Sequence, residues 1–305
     1  MVNPSASSVT ARRQVIISKI LSAGHTVEVA TTNRRGHATK LALDAAHGGC
    51  EVVVCLGGDG TLNELANGLV GTECALAALP GGSTNVFARA IGLPDEPTDA
   101  ALVIDAALAA GSIHRAGVGS VNGRYFLFHV GIGWDAALVA EVERHSEWKR
   151  YAGHPLFIYA GLRTFFLGYD RRHPHFRIEF ADGTTVPDAY FTVCMNLDPY
   201  TFVGNRPFHL SPAATLDRGL SAISVRSMAA APFLRLMYDA LRDDAGVRSS
   251  RTVDVRTDVA SLRIEAFGTV PHQVDGDYVG ETDVLEIAHH PAALRVVLPA
   301  VPHHG

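Results

Sequence analysis

One stretch limits the fold more than any other. Glu51-Val52-Val53-Val54-Cys55-Leu56 is a mostly apolar run that stops at Gly57-Gly58-Asp59-Gly60-Thr61, and a helix-like segment, Leu62 to Leu69, follows at once. Apolar residues on both faces mark a strand covered on both sides, the habit of parallel sheets. The device repeats: Ala75 to Leu79 is a second short apolar run, stopped by Pro80-Gly81-Gly82-Ser83-Thr84-Asn85, and Thr84 to Ile91 reads as the next helix. Val27 to Thr31 reads as a further strand. Ala38 to Ala46 and Asp99 to Ala110 read as helices, the latter ended by Gly111. This alternation predicts a parallel sheet with helices on both faces.

After Ser112 the texture changes. Segments 125–130, 176–180, 189–195, 220–228, 261–266, 272–279, 284–288 and 294–298 read as strands. Several alternate apolar and polar residues, as half-covered antiparallel strands do. Helical stretches at 136–169, broken near Gly153-His154-Pro155, and at 232–244 interrupt them. The expected architecture is an α/β N-terminal domain with a parallel sheet over 1–112, then a β-rich antiparallel C-terminal domain over 113–290, with 291–305 returning to the first.

Composition narrows the function classes. The net charge is −5, so the chain lacks the global basic field of a nucleic-acid binder. Cys50, Cys55, Cys74 and Cys194 form no CxxC pair, and the expectation is reduced thiols in a cytoplasmic protein. No run reaches the roughly 18 apolar residues of a membrane span. Pro155 to Tyr169 comes nearest and is interrupted by Arg163. Within it, Ile158, Leu162, Phe165, Phe166 and Tyr169 form a stripe at helical spacing, while Leu156, Phe157, Tyr159 and Leu167 make the other face apolar too. Arg144, Lys149, Arg150, Arg171 and Arg172 flank it. Two readings stand: a core helix, or peripheral contact with lipid at the inner membrane face. The histidine pairs His289-His290 and His303-His304 lack ligand spacing and read as surface residues.

The glycine turns carry the chemistry. Glycines at a strand end let the backbone turn sharply and come close to a ligand. Free N–H groups at the following helix start then face an anion. Asp59 puts a carboxylate beside that place, suited to Mg²⁺ or to a hydroxyl proton. Ser83 or Thr84 can cap its helix or bond a phosphate oxygen. Turns on successive parallel strands meet at one sheet edge, where open α/β sheets bind ligands.

Gly57-Gly58-Asp59-Gly60-Thr61-Leu62-Asn63-Glu64 followed by Pro80-Gly81-Gly82-Ser83-Thr84-Asn85 resembles the diacylglycerol kinase catalytic-domain family, which includes sphingosine, ceramide and bacterial lipid kinases. The likeness runs along essentially the whole chain. Asn3-Pro4 resembles the family's first nucleotide turn, Thr32 with Gly36-His37-Ala38 its second, Gly131 to Ala136 its glycine–aspartate segment, and Val274-Asp275-Gly276-Asp277 its Asp-Gly-Glu segment. The resemblance implies an NAD-kinase/diacylglycerol-kinase-like fold. It also implies a kinase moving the γ-phosphate of ATP, with Mg²⁺, to a lipid hydroxyl, most simply diacylglycerol giving phosphatidic acid. By the same resemblance ATP meets Asn3, Thr32, Gly57, Gly58, Asp59, Gly60, Thr61, Asn63, Glu64, Gly82, Ser83, Thr84 and Asn85. Asp59 would meet Mg²⁺ with ATP, and Asp277 would take the hydroxyl proton.

Three departures from the family pattern stand in the sequence. Only Met1-Val2 precede Asn3-Pro4, where the family has a full strand. Asp277 stands for the family's Glu. The turn that holds a structural Mg²⁺ in bacterial relatives, Thr215 to Leu220 here, carries Arg218 in place of an acidic ligand. From that exchange the Arg218 guanidinium is expected either to hold the acidic neighbours in the metal's stead or to point into solvent. An NAD kinase, which shares the Gly-Gly-Asp-Gly turn, and a catalytically weak nucleotide- or lipid-binding protein are the competing expectations. The lipid acceptor is the expected partner, nucleic acid is not, and oligomeric state stays open.

Overall fold

The computed structural model describes residues 1–144, 163–164, 168–242 and 246–299. They divide into two units, Met1–Ala116 with Ala292–Gly305, and Gly117–Pro291.

The first unit is built on a parallel pair. β1 (Val52–Gly57) and β2 (Ala75–Pro80) run in register from Val52 opposite Ala75 to Gly57 opposite Pro80. Val296, near the end of β14 (Asp277–Val297), pairs parallel with Leu76 on the other side of β2. Val2 is a strand of one residue. It bridges Leu56 and Thr31, both in parallel sense, and the Val2 and Thr32 N–H groups donate to Ala30 O and Val2 O. The expected strand at 27–31 is reduced to a bridge between Thr31 and Val2.

Helices cover the sheet: α1 (Ala11–Leu21), α2 (His37–His47), α3 (Asp59–Leu69), α4 (Val86–Ala90) and α5 (Pro97–Ala109). The apolar pattern does not announce α1, which buries only Ile17 and Leu21. It is fastened instead by Arg13, whose guanidinium donates to both Glu96 oxygens at 2.9 and 2.6 Å. α2 and α3 cross closely at Gly68, where a Cβ would lie 2.4 Å from Thr39 O. Leu65, Leu69, Leu76, Phe87 and Ile104 are fully buried between helices and sheet.

The second unit is antiparallel. β5 (His129–Gly133), β8 (Phe191–Met195), β11 (Leu220–Val225) and β12 (Val253–Val259) follow one another, and β13 (Ser261–Val274) lies on the far side of β5. β13 also pairs with β6 (Phe176–Phe180) and β14, and β6 with β7 (Thr185–Ala189). β3 (Ile113–Val121) turns back into β4 (Arg124–Phe126). β9 (Thr201–Val203) and β10 (Arg206–Phe208) form a separate hairpin. Strand alternation makes two cores: Cys194 of β8 joins Val130, Ile132, Ile178 and Leu285, while Phe191, Val193 and Met195 face Trp134 and Phe233. α6 (Trp134–Arg144) follows β5, and α7 (Ala230–Arg242) packs Phe233, Leu236 and Ala240 inward. The expected single strand over 272–279 is in fact two, because Asp275-Gly276 is a turn. The expected segments 189–195 and 220–228 are likewise cut, at Tyr190 and after Val225.

Candidate active site

The two glycine turns touch backbone to backbone at the C-terminal edge of the parallel pair. Gly81 N–H donates to Gly57 O at 2.8 Å, continuing the ladder past Pro80. A Cβ on Gly81 would lie 2.7 Å from Gly57 N, and one on Gly82 would lie 2.8 Å from Gly58 Cα. Glycine is therefore required here by the packing of one turn on the other, whatever they bind. The Asn3 segment closes on the same edge. Asn3 N–H donates to Leu56 O, its side-chain amide donates to Thr61 Oγ1 at 2.8 Å, and Ser8 N–H donates to Gly81 O.

Several polar residues of this edge serve the protein itself. Asp59 Oδ2 accepts from Val86 N–H at 3.0 Å and Oδ1 from Phe87 N–H at 3.3 Å, so this carboxylate caps α4. Asn85, at φ 51°, folds back on its own turn: Oδ1 accepts from Gly82 N–H and the amide donates to Gly82 O. Glu64 caps α2, accepting from Gly36 N–H at 2.8 Å and Ala38 N–H at 3.1 Å. Asn63 is buried, and its carbonyl accepts from the Asn67 amide. Thr32 is buried against Val2. Ser83 is exposed and Thr84 half-buried at the tip of the second turn.

What this leaves for a ligand is specific. α3 opens at Gly58, which has no side chain to cap it. Helix starts carry unpaired N–H donors and a partial positive charge. Here they stand at a sheet edge beside a second glycine turn, which fits a polyphosphate. The donor set fits Mg²⁺ only together with phosphate oxygens: among the described residues no group of three His, Cys, Asp or Glu side chains could hold a metal.

In the second unit, Asp275 and Gly276 form the two-residue turn joining β13 to β14, at φ 48° and 80°, a pairing typical of type I′ hairpins. The two carboxylates of this turn have separate tasks. Asp275 is buried and accepts from the N–H groups of Leu127, Phe128 and His129 at 2.8, 3.0 and 3.1 Å. Asp277 is half-buried, with Arg124 at 3.7 Å. Of the two expectations for the 215–220 turn, the structure shows the solvent-facing one. Arg218 is exposed, and its backbone N–H donates to Thr215 O at 3.1 Å. The turn is held by backbone: Gly219 N–H donates to Asp258, and Leu216 O accepts from Gly117 N–H. The residues 156–162 and 165–167 of the aromatic stretch lie outside the described residues.

Against this geometry the comparisons are direct. Residues 1–121 match the family model described as "Diacylglycerol kinase catalytic domain". Over that stretch, which holds both glycine turns, the chain is similar to the catalytic domain of diacylglycerol kinases. Along its length it is 27% identical over 289 residues to a Bacillus subtilis (strain 168) protein named "Diacylglycerol kinase", covering 93% of this chain and 89% of that one. A Pseudomonas aeruginosa (strain UCBPP-PA14) protein named "Probable lipid kinase YegS-like" is 29% identical over 284 residues, 91% of this chain and 86% of the relative. The fold matches a solved structure described as "Crystal structure of a putative diacylglycerol kinase from Bacillus anthracis str. Sterne", with a TM-score of 0.78 at 24% identity over 98% of this chain and 97% of that one. The family model ends at Val121, so it contains both glycine turns of the catalytic domain but not Asp277.

Sequence reading missed a buried polar group in the second unit. Asp135, at the start of α6, is buried and accepts from Gln273 Nε2 at 2.8 Å and from the Tyr200 hydroxyl. Burial pushes its carboxyl above the usual range, against the pull of those two donors. His129 stacks on Tyr200, with ring centroids 4.4 Å apart, and burial holds its imidazole down at about 3. Only the glycine–aspartate segment 131–136 pointed there.

Proposed function

We propose that this chain is an ATP-dependent lipid kinase that transfers the γ-phosphate to a lipid hydroxyl, with diacylglycerol as acceptor and phosphatidic acid as product. The observation that carries the reading is the uncapped start of α3 beside the Gly81-Gly82 turn. Its N–H donors suit the phosphates of ATP, and Thr61, Ser83 and Thr84 offer hydroxyls around them. Phosphoryl transfer asks for positioning and charge neutralisation more than for covalent chemistry. Mg²⁺ arriving with ATP supplies part of that neutralisation. On the acceptor side, Asp275 holds three backbone N–H groups, and Asp277 lies half-buried beside Arg124. It accepts the proton of the attacking hydroxyl as the new O–P bond forms and the bond to the β-phosphate oxygen breaks, leaving ADP. Asp59 and Glu64 support this site through the helices they cap.

The test is transfer from γ-labelled ATP over a panel of lipid alcohols in mixed micelles, with NAD as a water-soluble alternative. Label in phosphatidic acid is the expected result. Label in a phosphorylated dinucleotide, or ATP binding with no labelled product, refutes the proposal.

A further inference from the structure

Asp277 has a backbone N–H on either side of it in the chain, and a side chain holds each one. Gly276 N–H donates to Gln273 Oε1 at 2.8 Å. Tyr278 N–H donates to Glu143 Oε1 at 3.1 Å. The β13–β14 register shifts between His272 and Gln273, so Gln273 faces Tyr278 while His272 faces Gly280. A bulge therefore adjoins the turn, where ladder bonds are disrupted and the chain is easily re-aimed. Glu143 supplies an acceptor at that point.

Both holds lead to one helix. Glu143 lies in the last turn of α6. Gln273 is fully buried and donates its amide to Asp135 in the first turn of α6, where the Tyr200 hydroxyl takes the other oxygen. Strand β5 gives way to this pair. A Cβ on Gly131 would lie 1.5 Å from Asp135 Oδ2 and 2.6 Å from Gln273 Nε2, so the position admits glycine alone. The connection is built into the packing of the unit.

We propose that α6 is a brace for the acceptor-side base, with Glu143 and the Gln273–Asp135 pair as positioning residues that fix the backbone on both sides of Asp277. This rests on the reading of Asp277 as the base. An aspartate carboxylate is only two torsions from its backbone, so any rocking of the turn passes to the carboxylate almost undiminished. Gly276 has no side chain of its own to resist that rocking. A misplacement of about 1 Å at a reacting group costs up to roughly 10²-fold in rate.

The experiment uses the full chain with dioleoylglycerol in mixed micelles and compares Glu143→Ala, Glu143→Gln, Gln273→Leu and Asp277→Asn. Glu143→Ala should lower kcat about tenfold with KM for ATP unchanged, and Glu143→Gln, which keeps an acceptor for Tyr278 N–H, should stay within about twofold of wild type. The acid limb of the kcat profile should keep its midpoint in Glu143→Ala while the plateau drops. Gln273→Leu should lose activity in the same manner. Should it fail to fold, the half-buried Glu143 pair carries the test. Equal losses in Glu143→Ala and Glu143→Gln, or a displaced acid limb, would show that Glu143 acts through its charge and would overturn the brace. Wild-type kcat in Glu143→Ala overturns it as well. Asp277→Asn separates the two ideas: full activity there removes the base itself, whereas an inactive Asp277→Asn beside an unaffected Glu143→Ala removes only the brace.

Discussion

Asp59 offers the sharpest division between a residue that holds ligand and one that holds fold. Its two oxygens accept from Val86 and Phe87 N–H, at 3.0 and 3.3 Å. Asp59→Ala removes both acceptors from the start of α4 and leaves two donors half-sheltered. A lost N-cap costs about 0.5–2 kcal/mol, and a hydrogen bond to a charged group is worth about 1.5–3 kcal/mol. The 3.3 Å bond is the weaker, so we expect about 2 kcal/mol for Ala. Asp59→Asn keeps one acceptor oxygen and loses the charge that favours a helix start, so about 1 kcal/mol is expected. In thermal unfolding the Ala variant should melt roughly 5 °C lower and the Asn variant about half as far. ATP binding, read by titration calorimetry, should weaken in the same order, since the turn that α4 anchors faces the nucleotide in our reading. An Asp59→Ala protein with unchanged Tm and abolished turnover would refute the capping argument, because it would show a carboxylate spent on Mg²⁺ or on the reaction.

Other outcomes follow from single contacts. Gly81→Ala puts a Cβ 2.7 Å from Gly57 N and 2.8 Å from Gly57 Cα, against backbone that cannot retreat without breaking the β1–β2 register; it should cost about 1–3 kcal/mol in urea unfolding and lower ATP affinity with it. His129 is held neutral down to about 3 by burial, while unfolded histidine titrates near its ordinary 6.5. The unfolded chain therefore binds the extra proton as pH falls below 6.5, and stability is lost from there toward 3. By pH 4 the loss is about 3 kcal/mol, and His129→Phe should flatten that part of the stability profile in denaturant titrations at stepped pH. Cys55 and Cys194 are pushed up to about 12 by burial, as is Cys74 with Cys50 beside it, whereas Cys50 is exposed. Alkylation of the native protein should therefore modify Cys50 fast and the other three only on unfolding, as mass spectrometry would show.

The parts of the fold written in short-range pattern were legible in the sequence. β1, β2 and their glycine turns were plain because apolar runs and glycines report burial and turning directly. α1 was not, because two buried residues in eleven give little periodicity and its anchor is an ion pair 83 residues away. The hairpin at Asp275-Gly276 was hidden inside one strand-like run for a similar reason. Its turn residues, at φ 48° and 80°, match the type I′ signature. Arg218 is the opposite case: its place in the motif left a charge partner and solvent both open, and the turn exposes it.

The candidate site shows why motif residues and ligand-facing residues differ. A motif marks positions that tolerate little change, and a buried carboxylate feeding three backbone N–H groups, as Asp275 does, tolerates as little as a base. Hydrogen-bond bookkeeping separates them. Asp275, Asp59 and Glu64 spend their oxygens on backbone donors of their own unit, and Asn85 spends both ends of its amide on Gly82. α3 opens on Gly58 without a capping side chain, and Asp277 lies half-buried opposite Arg124. Helix-end donors need an acceptor from somewhere. The same sheet edge caps α2 and α4 with its own carboxylates and opens α3 on a glycine without a capping side chain, and it is there that our reading places the phosphates of ATP.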